Sequence, residues 1–299
     1  MKTILNFGAG LEQSIPIRAA QRLGYRVISC DGNPDAPGLA ISDEAFVADI
    51  SDYSAVLEAL DSREVDGVFA HGVELGGVVE KVAKQLGLPG LAPEVAQLCS
   101  NKFERSRKLR SAGIRVPRSE IVRDSEDVVA FGRLVGFPLV VKPIDSSGAR
   151  GVVLVSHRKE IEESLEIARL YSRTGRVIAE EFFDGPQLST EAVLTSEGPV
   201  VVGIADRNYE NVANFYPHFV EDGISMPSSH DKLTLEKIHK TTIEAVEALG
   251  INFGAAKGDL ILVDGEPIVL EMASRSSGGW FAAGSVIAST GIDVFDFLI

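Results

Sequence analysis

Between residues 3 and 86, short apolar runs alternate with amphipathic stretches, and no other feature restricts the fold as much. Thr3-Ile4-Leu5-Asn6-Phe7 reads as a buried strand, Gly8-Ala9-Gly10 as a turn, and Gln13 to Leu23 as a helix stopped by Gly24. A second strand, Tyr25 to Cys30, closes at Asp31-Gly32. A helix from Ser54 to Leu60, a strand from Gly67 to Ala70 and a helix from Leu75 to Leu86 follow. Strands alternating with helices require a parallel sheet with crossover connections, so a Rossmann-like lobe is expected over residues 1–97. Gly8 and Gly10 invite a dinucleotide reading, with Asp31 where a ribose-binding acid would sit. The third glycine of G-x-G-x-x-G is missing, however, because that position is Gln13. A tight strand-to-helix turn accounts for both glycines, and NAD(P) or FAD is not expected. Glu74, in His71-Gly72-Val73-Glu74 at a strand's C-terminal end, reads equally as an acceptor for a substrate amine or as an exposed loop acid.

The stretch Leu139 to Val155, LVVKPIDSSGARGVVLV, carries the second constraint. Two β-branched runs flank a Ser/Gly loop, which is a hairpin signal. Such a loop leaves backbone N–H groups free to face an anion, and Lys142 on the adjacent strand adds a fixed positive charge. A solvent-exposed hairpin with a surface lysine fits the stretch equally well; a triphosphate is the ligand it would otherwise take. Helices are expected over Asn101–Gly113, Ser125–Val135 (capped by Ser125) and Lys159–Tyr171. A strand Val177–Phe183, a turn at Asp184-Gly185-Pro186 and an alternating strand Leu188–Leu194 complete this part. Asp206 to Lys232 has no clear period and is read as a lid or substrate loop. His218 and His230 within it are too isolated to be metal ligands.

Near the C-terminus, Lys257, Asp259 and Ile261 share one face of a strand by period two, as do Glu271, Ala273 and Arg275 on the next. Two carboxylates facing each other make a hard-oxygen site for Mg²⁺, with a lysine and an arginine to offset charge on a transferring phosphoryl group. Whether they face each other depends on register. A two-residue turn at Asp264-Gly265 pairs Asp259 with Leu270 and sends Glu271 to the opposite face. A three-residue loop, Asp264-Gly265-Glu266, pairs Val263 with Pro267 and Asp259 with Glu271. Asp-Gly favours the shorter turn; Pro267, which cannot donate, favours the longer one. The longer loop is the expectation.

Composition narrows the partners. A net charge of −14 argues against a nucleic-acid surface, which needs a basic face. No apolar run is long enough to span a membrane and no signal peptide is evident at the N-terminus. Cys30 and Cys99 form neither a disulfide framework nor a metal-spaced pair. A cytoplasmic protein is expected.

Six pieces in order carry a resemblance: the Rossmann-like lobe; N-K-F-E-R-S-R-K-L-R-S-A-G-I-R-V-P from Asn101; V-V-K-P with its Ser/Gly loop; A-E-E-F-F-D-G-P from Ala179; G-D-L-I-L from Gly258; and L-E-M-A-S-R from Leu270. Together they resemble an ATP-grasp enzyme. The resemblance implies an α/β and α+β fold: a Rossmann-like lobe over residues 1–97, then a two-subdomain ATP-grasp unit over 98–299 with its hinge near 177–185. Lys102 and Lys142 would lie on the phosphates of ATP, beneath a loop holding Ser146, Ser147, Gly148 and Gly151. Glu180, Glu181, Phe182 and Phe183 would meet the adenine. Gln187 stands where relatives often have an acid for the ribose. Asp259 and Glu271 would hold Mg²⁺, with Mn²⁺ as an alternative, and Lys257 a phosphate. Ala273 replaces a common Asn, removing one oxygen ligand. The E-x-A-x-R form followed by Ser-Gly-Gly is similar to bacterial L-amino-acid ligases of the dipeptide-forming kind. In them Arg275 and the Ser276–Gly279 loop would bind the substrate carboxylate or its acyl phosphate. The implied activity is carboxylate–amine ligation of small molecules. The alternatives are a carbamoyl-phosphate-synthase-like or carboxylase-like enzyme, or a non-catalytic nucleotide binder. A homodimer is compatible with all of these. Many relatives continue for about another domain's worth of sequence, so a short member and a truncated chain are both open.

Overall fold

The computed structural model describes residues 1–299, arranged around three sheets. The first is wholly parallel in the order β3-β2-β1-β4, with β1 at Thr3–Phe7, β2 at Arg26–Asp31, β3 at Glu44–Val47 and β4 at Gly67–Ala70. The crossovers expected from the alternating pattern are present: α1 (Ser14–Arg22), α2 (Tyr53–Leu60) and α3 (Val78–Gln85). Leu5, Phe7, Ile28, Val56, Leu60, Val78 and Val82 make the core between sheet and helices. Strand β3 is not evident in the sequence. It is a four-residue edge with no buried residue, and no α-helix lies between β2 and its short apolar stretch Ala45-Phe46-Val47 to mark it as part of a strand–helix–strand unit. Helix α4 (Pro93–Ser100), started by its proline, leads into α5 (Lys102–Ser111).

The second sheet is antiparallel in the order β5-β8-β6-β7: β5 at Ser119–Val122, β6 at Leu139–Pro143, β7 at Val153–Val155 and β8 at Val177–Glu181. The hairpin expected at Leu139–Val155 is β6–β7, with Leu139 paired to Val155. Helices α6 (Ser125–Val135) and α7 (Ile161–Tyr171) cover one face, burying Val128, Phe131, Leu139, Ile161 and Leu165 at roughly 1.5–3 kcal/mol per large side chain. The cap of α6 is Asp124, one residue before the expected Ser125; its carboxylate accepts from the Asp127 N–H at 3.0 Å.

The third sheet runs β11-β10-β9-β12-β13: β9 at Gln187–Thr195, β10 at Gly198–Asn208, β11 at Gly223–Ser225, β12 at Ala255–Val263 and β13 at Glu266–Ala273. Helix α8 (Lys232–Leu249), capped by Asp231 and ended by left-handed Gly250, lies across its back over Leu188, Leu260, Val269 and Met272. Part of the segment read as a loop, Asp206–Lys232, is therefore strand. Its middle reaches the second sheet, where His218 bridges Val153 and the Leu154 N–H donates to the Pro217 carbonyl at 2.9 Å.

The β12–β13 hairpin corrects the expected loop. It turns on two residues, Asp264 and Gly265, with φ of 53° and 74°, and Val263 pairs with Glu266. Both central residues take the positive φ that a type I′ turn needs, so local propensity decides the turn. Leu262 then pairs with Pro267 and Leu260 with Val269. At Leu270 the ladder skips a residue, and Asp259 pairs with Glu271 after all. A β-bulge restores the parity that the shorter turn would have lost.

No helix is long and apolar enough to cross a membrane.

Candidate active site

A cleft of about 530 Å³ opens between the second and third sheets. Of the residues singled out in the sequence, Lys102, Lys142, Ser146, Ser147, Gly148, Glu180, Glu181, Phe182, Phe183, Gln187, Lys257, Asp259, Glu271 and Arg275 all line it. Gly151 does not. A Cβ there would lie 2.8 Å from both Pro143 Cγ and Tyr171 Cβ, so this glycine serves the packing of the loop's end.

The two lysines of this side of the cleft come from two elements. Lys142 projects from β6 and forms a buried ion pair with Glu180 of β8. Its charge is balanced across the sheet, a partner that its own strand does not reveal. Lys102 opens α5, where Asn101 caps the helix and the Lys102 N–H donates to the Ile144 carbonyl at 2.9 Å. Its ammonium donates to the Ser146 carbonyl. Burial pushes Lys102 down to about 8; Glu271 opposes that shift, while Arg105 and Lys142 add to it. In the Ser/Gly loop, Gly148, Ala149 and Gly151 all take positive φ. At the end of β8, the Glu181 carboxylate pairs with Arg118 at 2.8 Å and its N–H donates to the Arg118 carbonyl.

Across the cleft, Asp259 accepts from Ser189 Oγ at 2.9 Å and pairs with Lys257 and, at 3.2 Å, with Arg207. Glu271 has no direct hydrogen bond or ion pair. Burial raises its carboxyl, yet Lys257, Arg105, Lys102 and Arg275 together hold it well below the usual carboxylate range. Asp259 is lowered too: Arg207 and Lys257 outweigh burial and the charge of Glu271. Two ionised carboxylates thus face each other, and no third Asp, Glu, His or Cys joins them. That donor set suits Mg²⁺, which takes few protein ligands and fills its shell with phosphate oxygens and water. Asp259 and Glu271 would hold it.

Two charged side chains in or beside the cleft escape sequence reasoning. Arg207, at the end of β10, lies over the ring of Tyr209 at 5.3 Å and pairs with Glu221 as well as Asp259. No local signal marks it: its place follows from the pairing of β10 with β9, which sets Arg207 opposite Gln187. Glu191 is fully buried beside Lys257 in the ladder, an acid in an otherwise apolar or small-residue strand. Burial pushes it up to about 7, against the Ser277 N–H, Arg275 and Lys257.

Arg275 is held by Glu74 at 3.1 Å, and Glu74 also accepts from Ser100 Oγ at 2.5 Å. Glu74 is therefore a counter-ion and not a free loop acid. In the loop that follows, the Ser277 N–H donates to Glu191 at 3.1 Å, and the Gly279 and Trp280 N–H groups donate to Glu12 at 3.0 and 2.8 Å. Buried His71 links Glu12 (3.2 Å) to Ser276 Oγ (2.8 Å). With those N–H groups engaged, Arg275 and the buried, unpartnered Ser277 hydroxyl remain as side-chain donors for an anion. In the glycine turn of the first sheet, Asp31 accepts from the Ala9 N–H at 2.7 Å, and Gln13 donates to the His71 carbonyl.

Comparison with known proteins matches residues 99–279 to the ATP-grasp domain. The formate-dependent phosphoribosylglycinamide formyltransferase of Paraburkholderia xenovorans (strain LB400) is 32% identical over 259 residues, 83% of this chain and 62% of that protein. The carbamoyl phosphate synthase large chain of Pseudothermotoga lettingae is 25% identical over 87% of this chain and 24% of its own length. Among solved structures, the L-amino acid ligase from Bacillus licheniformis superposes over 100% of this chain and 73% of its own, with a TM-score of 0.85 and 27% identity. The chain spans about half the length of most of the curated relatives it matches.

Proposed function

The chain belongs to the ATP-grasp family, and from that membership we propose an ATP- and Mg²⁺-dependent carboxylate–amine ligase that works through an acyl phosphate. One observation carries the reading: Asp259 and Glu271 pair inside a cleft ringed by Lys102, Lys142, Lys257, Arg207 and Arg275. Phosphoryl transfer asks the protein for positioning and charge neutralisation more than for covalent help, and this ring supplies both.

In this reading Lys102 and Lys142 hold the phosphates of ATP, while the loop of Ser146, Ser147 and Gly148 covers them. Glu180 to Phe183 border the base and Gln187 reaches the ribose. When bound at Asp259 and Glu271, the metal would neutralise charge on phosphate oxygens. Lys257 and Arg207 offset the charge on the transferring group. Arg275, oriented by Glu74, holds the substrate carboxylate. A carboxylate oxygen takes the γ-phosphoryl group as the bond to the departing ADP breaks, and Arg275 then holds the acyl phosphate so formed. An amine attacks the acyl carbon, the C–N bond forms as the C–O bond to phosphate breaks, and the amine's proton passes to solvent. Residues 1–97 form a substrate-facing lobe and 98–299 the nucleotide clamp, hinged near 177–185.

The test is phosphate release from ATP, with and without Mg²⁺, against pairs of L-amino acids, with formate and bicarbonate as added carboxylates. Mg²⁺-dependent release that needs a carboxylate and an amine together is expected. Release driven by bicarbonate alone would move the chain to a carboxylase-like activity. ATP binding without turnover on any pair would make it a nucleotide sensor, a reading that the absent Asn at Ala273 favours.

A further inference from the structure

On the other side of Arg275 from the nucleotide cleft lies a second recess, of about 110 Å³. Its walls are mostly apolar, with Phe69 at the end of β4, Val79 and Ala83 on α3, Ala96 on α4 and Phe253 just before β12. Three charged side chains reach it: Glu74, Glu80 and Arg275. Glu74 is committed to Arg275 and Ser100. Glu80 is half-buried on α3 and has no ion-pair or side-chain hydrogen-bond partner. The neighbouring lysines of α3 turn elsewhere, Lys81 to the Tyr53 ring and Lys84 to Glu94. Burial pushes the Glu80 carboxyl up, and the negative charge of Glu74 adds to that. A carboxylate withdrawn from water without a counter-ion is costly, and the group that relieves it is a cation.

We propose that this recess is the subsite for a small apolar amino acid, with Glu80 as the counter-ion of its ammonium group and Arg275 as the receiver of its carboxylate. The inference rests on the ligase reading and names its substrate class. Arg275 lines both the recess and the cleft, so a carboxylate at its guanidinium lies at the boundary with the phosphates. Volume sets the side chain. A dry cavity of about 150 Å³ takes benzene, so a recess of about 110 Å³ admits fewer non-hydrogen atoms. With its carboxylate at the boundary, alanine places only its nitrogen and two carbons in the recess and fits that limit, whereas valine, with two more carbons, exceeds it. Phe253, half-exposed at the mouth, is the wall that sets it.

The experiment is calorimetric titration of L-alanine, L-valine and L-phenylalanine into the full chain, pre-loaded with Mg²⁺ and a non-hydrolysable ATP analogue. Saturable binding of alanine but not of valine or phenylalanine is expected. Glu80→Gln should weaken alanine binding about tenfold or more, since a charge-assisted contact is lost, while binding the analogue normally. Phe253→Ala should admit phenylalanine, a gain that misfolding cannot mimic. Analogue binding with no amino-acid binding, or alanine binding that Glu80→Gln leaves unchanged, would overturn the inference alone. Failure of the wild-type chain to bind the analogue would overturn the ligase reading and this inference with it.

Discussion

At the scale of single residues, the lysine of the Ser/Gly hairpin is not a free charge waiting for phosphate. Lys142 is buried against Glu180, so its removal has two consequences. Lys142→Met should weaken ATP binding tenfold or more, about the value of one charge-assisted contact. It should also lower stability by roughly 3–5 kcal/mol by stranding the Glu180 carboxylate. Lys142→Met combined with Glu180→Gln should recover much of the stability in urea denaturation but none of the affinity in calorimetry. Affinity recovered along with stability would show that Lys142 never touched the nucleotide. Glu191 makes a separate prediction. Its carboxyl is raised from 4.5 to about 7 by burial, so the folded state binds more protons than the unfolded state between those values. The stability it contributes is complete below pH 4.5 and is lost as pH rises through 7. Glu191→Gln should therefore be roughly 3 kcal/mol more stable than the wild type at pH 8 and close to it near pH 4.5. An equal difference at both pH values would contradict the buried-acid account.

At the scale of elements, the β12–β13 hairpin holds the two candidate metal acids. Asp264-Gly265 makes the short turn its residues prefer, and the bulge at Leu270 brings Glu271 back opposite Asp259. Deleting Leu270 would leave a regular ladder with the same pair still facing, so Mn²⁺ binding followed by electron paramagnetic resonance should survive. Inserting one alanine after Leu270 makes two extra residues, which a regular ladder accommodates by pairing Glu271 with Lys257, one position along the same face from Asp259. The direct pair is then lost and Mn²⁺ binding should weaken. The reverse pattern would mean that the bulge has no part in placing the acid. The loop after β13 is an element held from both sides. Glu191 of β9 grips Ser277, while Glu12 and His71 of the first sheet's loops grip Ser276, Gly279 and Trp280.

At the scale of the whole molecule, a cleft whose six cationic side chains are nearly balanced by five carboxylates is set in a chain of net charge −14. The cleft's lysines and arginines act over a few ångströms, whereas the overall charge repels MgATP at long range. The Debye length shrinks from about 30 Å at 0.01 M salt to about 8 Å at 0.15 M. Stopped-flow association of MgATP should therefore quicken modestly over that range. A steep slowing would mean that the local cations steer encounter. The strap from Tyr209 to Asp222 crosses from the third sheet to β7 of the second and brings Phe219 to 6.3 Å from Phe182. The two walls of the cleft are thus tied to each other by this strap as well.

Local pattern was enough for the parallel first sheet, for the β6–β7 hairpin with Lys142, and for the list of acids and lysines that meet in the cleft. Each of these follows from periodicity, turn chemistry or motif order within a short window of chain. Tertiary structure decided the rest, because it depends on groups far apart in sequence. Glu180 lies 38 residues from the lysine it neutralises. Arg207 reaches Asp259 only because β10 pairs with β9 and β9 with β12. Glu74 lies 201 residues from Arg275, the side chain it orients. The facing of Asp259 and Glu271 was expected for the wrong reason: turn propensity is local, but the bulge that sets the parity forms only when Val269 and Met272 must both be buried in the core under α8.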